Sequence, residues 1–490
     1  MAGGTEVHEQ CDMDGDTLRE ECGVFGILGH EDASALTALG LHALQHRGQE
    51  AAGIVTFDNE QFRAERHLGL VGDHFSDAET IGRLTGRAAV GHVRYSTTGE
   101  TILRNVQPLF AELDGGGIAV CHNGNFTNAL TLRQQLIRDG AICQSTSDSE
   151  VVLQLVARSR KAKIIERFIE AIMQMEGAYS LVALTSKKLI GARDPLGIRP
   201  LVLGDLNGAP ILASETCALD IIGAKFIREV ENGEVIVCTS TGIQSYFPFG
   251  KRKARPCIFE YIYFSRPDSI LGGRSVYDVR SEMGKQLARE TSVEADVIVP
   301  VPDSGVPAAI GYSQESGIPF ELGIIRNHYV GRTFIEPTQQ IRALGVKMKH
   351  SANRSQIEGK RVVLVDDSLV RGTTSVKIVQ MIREAGAKEV HFRLASPPIR
   401  YSDYYGIDTP VREKLLAAKY SLEEMCAYIG ADSLAFLSVD GMYKSMGYEG
   451  RDDENPQFTD HGFTGDYPTP LTDLSEDQEF ISAPRLVEVG

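Results

Sequence analysis

The stretch Arg361-Val-Val-Leu-Val-Asp-Asp-Ser-Leu-Val-Arg-Gly-Thr-Thr374 constrains the fold of this chain more than any other. Val362–Val365 is an apolar, β-branched run, too short for a helix and suited to a strand buried on both faces. Asp366 and Asp367 stand where that strand ends. After a small, polar turn, apolar residues recur at Ile378, Val379, Ile382 and Ala385, which is helical spacing over Ser375–Ala385, stopped by Gly386 as a C-cap. A strand, a Gly/Thr-rich turn and a helix N-terminus together form an anion site, because unpaired backbone N–H groups point outward there.

A Gly-Thr-Thr turn alone is an ordinary helix cap, and the two acids decide against that reading. Beside a phosphate cradle they repel a bare phosphate, but they suit a sugar with vicinal hydroxyls, or a metal. In strand, Asp-Asp and Gly-Thr-Thr, all in register, the stretch resembles the phosphoribosyl pyrophosphate (PRPP) loop of the type I phosphoribosyltransferases. The resemblance implies an α/β domain with a parallel sheet. It also implies that Asp366 and Asp367 face the ribose hydroxyls and the Mg²⁺ region, while Arg371, Gly372, Thr373 and Thr374 hold the 5-phosphate.

A chain of 490 residues exceeds one hydrophobic core, so two domains or more are expected. The net charge of −16 argues against a nucleic-acid surface and requires that any polyanionic substrate meet local cations or Mg²⁺. The N-terminus is acidic and polar, unlike a signal peptide, and no apolar run is long enough to span a bilayer. Eight cysteines without a CxxC pair, some in apolar strands (Cys121, Cys238), fit a reducing cytoplasm.

Residues 1–21 lack periodicity and read as a leader. Then follow Glu21-Cys22-Gly23-Val24-Phe25, where a cysteine opens an apolar strand, and Leu41–Glu50, a helix end passing into a turn at Arg47-Gly48. Gly91-His-Val-Arg94-Tyr is a strand end, Cys121-His-Asn123-Gly124-Asn a strand running into a turn, and Thr146-Ser-Asp148-Ser-Glu150 precedes a helix over Val151–Arg158. Singly, Asn-Gly is a tight turn, Arg94 a solvated charge and Asp148 an N-cap. In this order they resemble the glutamine amidotransferases of the N-terminal-nucleophile class. The resemblance spans about residues 22–245 and implies a four-layer α/β/β/α sandwich with Cys22 as nucleophile once residues 1–21 are removed. It assigns Asn123 and Gly124 to the oxyanion, Arg94 to the substrate α-carboxylate, Asp148 to its α-ammonium and Arg47 to the surroundings of the nucleophile. The residue types suit amide hydrolysis through a thioester, with a free α-amine as base and fixed donors for the oxyanion.

Further along, Ile164–Met175 reads as an amphipathic helix and Tyr179–Thr185 and Lys188–Ala192 as strands. The loop Arg193–Pro200 is a scaffold or a ligand contact. Residues 246–256 have linker composition, and a second domain follows over 258–447. Within it Cys257–Phe264 is core, and Asp296–Pro302 is a buried strand. That strand ends in Asp303-Ser304-Gly305, a second loop at a carboxyl edge. By the resemblance Asp303 and Gly305 contact pyrophosphate, Ser304 is a Mg²⁺ ligand, and the long segment 326–345, with Arg326 and Arg332, closes over PRPP. The acidic segment 451–490 reads as an extended tail.

The combination, from about Cys22 to Gly447, resembles the amidophosphoribosyltransferase family. That implies a glycosyltransferase, acting by pentosyl transfer, that makes 5-phosphoribosylamine, glutamate and pyrophosphate from PRPP, glutamine and water, with ammonia passed from Cys22 to C1 of PRPP. It also implies one Mg²⁺ per subunit, purine nucleotides as feedback inhibitors, and a homo-oligomer (tetramer or dimer) in the cytoplasm, with neither nucleic acid nor membrane as partner. One departure concerns the [4Fe–4S] cluster of a family subgroup. Cys257 matches the first of its four cysteines, but Asp403 stands at the second, and Gln457–Gly462 replaces the final Cys-x-x-Cys. One thiolate cannot hold a cluster, so none is expected. The alternatives are another type 2 glutamine amidotransferase, which would lack Asp366-Asp367 and Gly372-Thr373-Thr374, and a PRPP-sensing regulator, which would need no Cys22.

Overall fold

The structure, a computed structural model, describes residues 22–95, 102–114, 116–327, 350–407, 409 and 411–474. Residues 1–21, where a leader is expected, and, from residue 328 on, the segment 326–345 with Arg332 lie outside the described residues. Chain contacts divide the described residues into two units. The first holds 22–256, Tyr404–Ile407 and 467–474, and the second holds Cys257–Asp403 and the described part of Asp408–Asp466.

Alternating small and β-branched residues build the first unit as two antiparallel sheets. The first sheet contains β1 (Gly23–Leu28), β2 (Ala51–Phe57), β3 (Phe62–Leu68), β4 (Ala88–Arg94), β9 (Val202–Leu206), β10 (Ala209–Ala213) and β11 (Lys225–Glu229), in the order β11-β9-β10-β1-β4-β2-β3. The second contains β5 (Leu109–Leu113), β6 (Gly116–Phe126), β7 (Gly177–Thr185), β8 (Leu189–Arg193), β12 (Val235–Thr239) and β13 (Gly242–Tyr246), in the order β13-β12-β8-β7-β6-β5. Val24, Val55, Val90 and Leu212 of one sheet interdigitate with Cys121, Val182, Leu189 and Ile236 of the other. Period-two alternation sends the intervening residues outward. There Phe25 and Ile27 pack with the helix Ala33–Ala43, and Val120 and Leu181 pack with Ser149–Arg158 and Ile164–Ile172. This is the expected α/β/β/α sandwich. The helix expected over Ile164–Met175 ends at Ile172, three residues early.

Arg193–Pro200 is a scaffold. Asp194, fully buried, accepts the backbone N–H groups of Leu196 and Ile198 at 3.0 Å each and of Arg199 at 3.1 Å. The buried Arg199 guanidinium donates to the Tyr405 carbonyl at 2.9 and 2.6 Å, pinning the returning segment Tyr404–Ile407.

The second unit is α/β. After a small hairpin, β14 (Ile270–Leu271) and β15 (Arg274–Ser275), comes β16 (Val297–Pro300). Next are β17 (Ile324–Arg326) and β18 (His350–Ala352), which pair with each other, then β19 (Arg361–Asp366), β20 (Glu389–Leu394) and β21 (Ser433–Phe436). The main sheet runs β16-β19-β20-β21, every pair parallel, with Val299, Leu364, Phe392 and Leu434 in one row. The opening stretch thus lies in an interior strand, and Val362–Val365 are all fully buried. Ile378, Val379 and Ile382 of the helix Thr373–Glu384 cover one face.

Residues 451–466 differ from the expected tail, because Phe458, Thr459, Asp460 and His461 are buried. Tyr443 Oη and Arg451 Nε donate to Asp460 at 2.9 and 2.7 Å, so this acid is satisfied internally, while Asp452, Asp453 and Glu454 stay exposed. His461 Nε2 lies 2.7 Å from Asp403 Oδ2, a close contact off the hydrogen-bond line.

Replacing Asp194 by Ala orphans buried backbone donors at about 1–3 kcal/mol each. Asp194→Ala should therefore lower the melting temperature, read by thermal denaturation, whereas an unchanged midpoint would remove this loop from the scaffold.

Candidate functional site

Cys22 immediately precedes β1, and Gly23 opposite Val93 is the first ladder pair, so the backbone of Cys22 is held by other means. Its carbonyl accepts from Arg47 Nε at 3.2 Å, and its thiol donates to the Tyr95 carbonyl at 3.5 Å. Arg47 and Glu215 are both fully buried and meet at 2.6 Å, and His46 Nε2 is 2.7 Å from the same Glu215 oxygen. Burial pushes the Cys22 thiol up. Arg94 and the Tyr95 carbonyl bond oppose this, while Asp148 and Glu50 add to it. Cys22 therefore shares one electrostatic neighbourhood with Arg94 and Asp148.

Arg94 closes β4, buried, and donates to the Asn105 carbonyl at 2.9 Å. Asn123 lies on β6, fully buried, and neither its Oδ1 nor its Nδ2 has a hydrogen-bond partner among the described residues. Such an atom costs free energy unless something arrives to meet it. Gly124 follows at φ 131°, and a Cβ there would stand 2.1 Å from the Ala178 carbonyl oxygen, so only glycine fits. Asp148 occupies the N-cap position of its helix, but its side chain makes no cap bond. Oδ2 instead accepts the Phe126 N–H at 3.2 Å and lies 3.5 Å from His122 Nδ1. Burial raises its carboxyl, but His122, the Phe126 amide and Ser149 outweigh that and hold it below the ordinary carboxylate value.

Sequence reasoning missed Glu215 and His46, and it missed the segments that return to this unit. Asn125 Nδ2 donates to the Tyr404 carbonyl at 2.9 Å. Asp473 caps the helix Ala129–Arg138, accepting from the Leu130 and Thr131 amides at 2.8 and 2.9 Å. A cavity of about 180 Å³ lies here, bounded by Leu130, Arg133, Asp148, Val151, Tyr404 and Leu474. The sequence signal for these contacts was weak: a Glu two residues past an apolar strand, and an Asp within a polar tail.

In the second unit the two loops at the sheet's carboxyl edge meet. Val301 donates to the Val365 carbonyl at 2.8 Å, and a Cβ on Gly305 would lie 2.4 Å from that oxygen and 3.1 Å from Asp366 Cα. The Asp367 amide donates to Asp366 Oδ1 at 2.9 Å, and Ser368 Oγ donates to Asp367 Oδ2 at 2.6 Å. Gly372, at φ 82°, is the N-cap of the helix Thr373–Glu384, with Thr373 exposed and Arg371 and Thr374 half-buried. Ser304 is half-buried in the facing loop, while Asp303 pairs with Arg326 across an exposed surface. Two carboxylates and a hydroxyl at one edge suit Mg²⁺, which takes few protein oxygens and completes its shell with substrate phosphates and water. Among the described residues no three His, Cys, Asp or Glu gather into a metal cage of their own. Cys257 pairs across the fold with Thr459, whose carbonyl accepts the Ile258 N–H at 3.2 Å, and a threonine there supplies no thiolate, so this donor set does not fit an iron–sulfur cluster.

A four-layer sandwich opening on a cysteine, joined to a parallel sheet with an Asp-Asp loop, defines a glutamine amidotransferase fused to a phosphoribosyltransferase. A family model described as a glutamine amidotransferase domain matches residues 92–220, and one described as a phosphoribosyl transferase domain matches 268–396. An amidophosphoribosyltransferase of Rhizobium etli is 69% identical over 467 residues, 94% of each chain. One of Bacillus subtilis is 49% identical, over 93% of this chain and 95% of that one. A solved structure of the B. subtilis glutamine PRPP amidotransferase, complexed with ADP and GMP, matches with TM-score 0.87 at 48% identity. It covers 92% of this chain and 98% of the other. The chain belongs to the amidophosphoribosyltransferase family. It is a transferase that makes 5-phosphoribosylamine from PRPP and glutamine, the first step of purine biosynthesis. Among the described residues no helix is long and apolar enough to cross a membrane.

Because burial favours the neutral thiol, alkylation of Cys22 by iodoacetamide should keep rising with pH, with no plateau below about pH 8.5, the ordinary thiol value. A plateau near neutrality would mean that Arg94 outweighs burial.

Proposed function

We propose that Cys22, freed at its α-amine by loss of residues 1–21, attacks the side-chain amide of glutamine and releases the ammonia that aminates C1 of PRPP. The buried Asn123 amide, without a hydrogen-bond partner among the described residues, carries this reading, because it is a donor held ready and desolvated. The Cys22 sulfur adds to the carbonyl carbon, and the oxyanion accepts from Asn123 Nδ2 and the Gly124 N–H. One such donor is worth about 2.7–4 kcal/mol. The C–N bond then breaks, the α-amine hands on the thiol proton, ammonia leaves, and water hydrolyses the thioester to glutamate. Arg94 pairs with the substrate α-carboxylate and Asp148 with its α-ammonium. Arg47 positions Cys22.

In the second unit Arg371, Gly372, Thr373 and Thr374 hold the 5-phosphate on a helix N-terminus, and Asp366 and Asp367 take the ribose hydroxyls. Asp303 and Gly305, with Arg332, contact the pyrophosphate. Ser304, Asp366 and Asp367 would hold one Mg²⁺ per subunit, which when bound offsets the charge of the departing pyrophosphate. An iron–sulfur cluster is not part of the proposal. The nucleotides in the B. subtilis structure support purine nucleotides as feedback inhibitors of this chain too. A cytoplasmic homo-oligomer that binds neither nucleic acid nor membrane completes the reading.

N-terminal sequencing of the active enzyme should begin at Cys22. Cys22→Ala should abolish glutamine-dependent synthesis and keep ammonia-dependent synthesis, and equal loss of both would refute the two-site assignment. The double variant Asp366→Ala with Asp367→Ala should do the reverse, sparing thioester chemistry at Cys22 while lowering PRPP-dependent synthesis by roughly 100-fold or more, as expected when several kcal/mol of transition-state charge stabilisation are lost. Iron analysis of anaerobically purified protein should find no stoichiometric iron.

A further inference from the structure

A nucleophile that begins its chain is held from one side only, because no preceding peptide fixes it. Ladder pairing starts at Gly23, so, beside the thiol's own bond to the Tyr95 carbonyl, the orientation of Cys22 depends on what grips its carbonyl. That grip is Arg47 Nε at 3.2 Å, and Arg47 is a long, rotamer-rich side chain that must itself be fixed. We propose that Glu215 is the positioning residue of the nucleophile, acting through Arg47, an inference that rests on the reading of Cys22 as the N-terminal nucleophile.

Glu215 is built for this role by its place in the sheet. Ala213 closes β10 opposite Phe25 of β1, and Ser214 continues the pairing: its N–H donates to the Val24 carbonyl and its Oγ accepts the Val24 N–H, both at 3.0 Å. The next residue therefore falls beside the start of β1. Its carboxylate, fully buried, takes Arg47 at 2.6 Å and His46 at 2.7 Å on one oxygen, and the Cys217 thiol lies 3.8 Å from the other. His46 Nδ1 faces the Ala43 carbonyl at 3.1 Å, so the imidazole is braced at both ends and fixes the carboxylate in turn. The chain of contacts runs His46, Glu215, Arg47, Cys22 carbonyl. It touches neither Arg94 nor Asp148 through any of these bonds, so it bears on the chemical step rather than on glutamine affinity.

The test uses the full chain with Glu215→Gln, which keeps the size and one acceptor but removes the charge. The expected result is a fall of about tenfold or more in glutaminase kcat, glutamine KM within about twofold, and wild-type ammonia-dependent synthesis. Because Glu215 acts through Arg47, the double variant Arg47→Gln, Glu215→Gln should be no slower than Arg47→Gln alone. A wild-type kcat in Glu215→Gln, losses that multiply in the double variant, or a rise in KM matching the fall in kcat/KM would each overturn the inference. An equal loss of ammonia-dependent synthesis would also overturn it, marking Glu215 as merely structural. Cys22→Ala measured alongside separates the two claims. If it retains glutaminase activity, the reading of the nucleophile fails, whereas a silent Glu215→Gln with a dead Cys22→Ala removes only the positioning role.

Discussion

One buried hydrogen bond ties the two sheets together beside Arg94 and Asn123: His92 Nε2 meets the His122 carbonyl at 2.9 Å. Burial pushes the His92 imidazole down to about 3, so the ring is neutral, and because a carbonyl can only accept, the proton is on Nε2. His92 stands two residues before Arg94 on β4, and His122 stands one before Asn123 on β6. Alternation along a strand puts Cys22 with Val24, Arg94 with Val90 and Asn123 with Cys121, all facing the space between the sheets. A slip of one residue in either sheet would turn Cys22, or Asn123, to the opposite face. The His92 contact fixes that register across the layers, which ladder hydrogen bonds within a sheet cannot do.

The second unit solves a different problem, the assembly of a polyanion site on an acidic chain. Parallel strands end at one edge, and the contact of Gly305 with the Val365 carbonyl leaves no room for a side chain between the two loops. Asp366 is therefore fixed against the facing loop by backbone, not by charge. The exposed pair of Asp303 and Arg326 is of the kind that solvent and salt weaken. Its cation is thus easily yielded to a more highly charged partner. The acids suit a bound sugar and metal, while the helix N-terminus behind Gly372 offers dipole and N–H groups at no cost in side-chain entropy.

Much of this was legible in the sequence because it rests on local chemistry. The Val362–Val365 run, the Asp-Asp pair and the helix after Gly372 could be read directly, since strand burial, turn chemistry and helical spacing are short-range properties. The order of Cys22, Arg94, Asn123 and Asp148 was legible as a resemblance. What escaped depended on partners far away in the chain. Taken alone Asp148 reads as an N-cap, yet it makes no cap bond and its carboxylate accepts the Phe126 amide from 22 residues earlier. The segment 451–474 read as solvated because its acids were counted as charges. Asp460 is neutralised by Arg451, and Asp473 is used as a helix cap, neither of which composition can reveal. Glu215 was invisible for the same reason: its partner Arg47 lies 168 residues earlier.

The burial that brings these groups together also sets the chemical demand on them. A thiol pushed up by desolvation, and donating to a backbone carbonyl, is protonated at neutral pH, so Arg94 alone does not supply a thiolate. Among the described residues the groups that weigh most on the Cys22 thiol are Arg94, the Tyr95 carbonyl, Asp148 and Glu50, none of them a histidine. On the proposed reading the base must come from the residue itself, and a free α-amine, with an ordinary pKa of about 7.7–8.0, is matched to the task. An amide nitrogen in the same place would have no lone pair to offer. On that same reading, removal of residues 1–21 creates the base. On the proposed reading the grip on the Cys22 carbonyl acquires its importance at that same step, when Cys22 becomes the first residue.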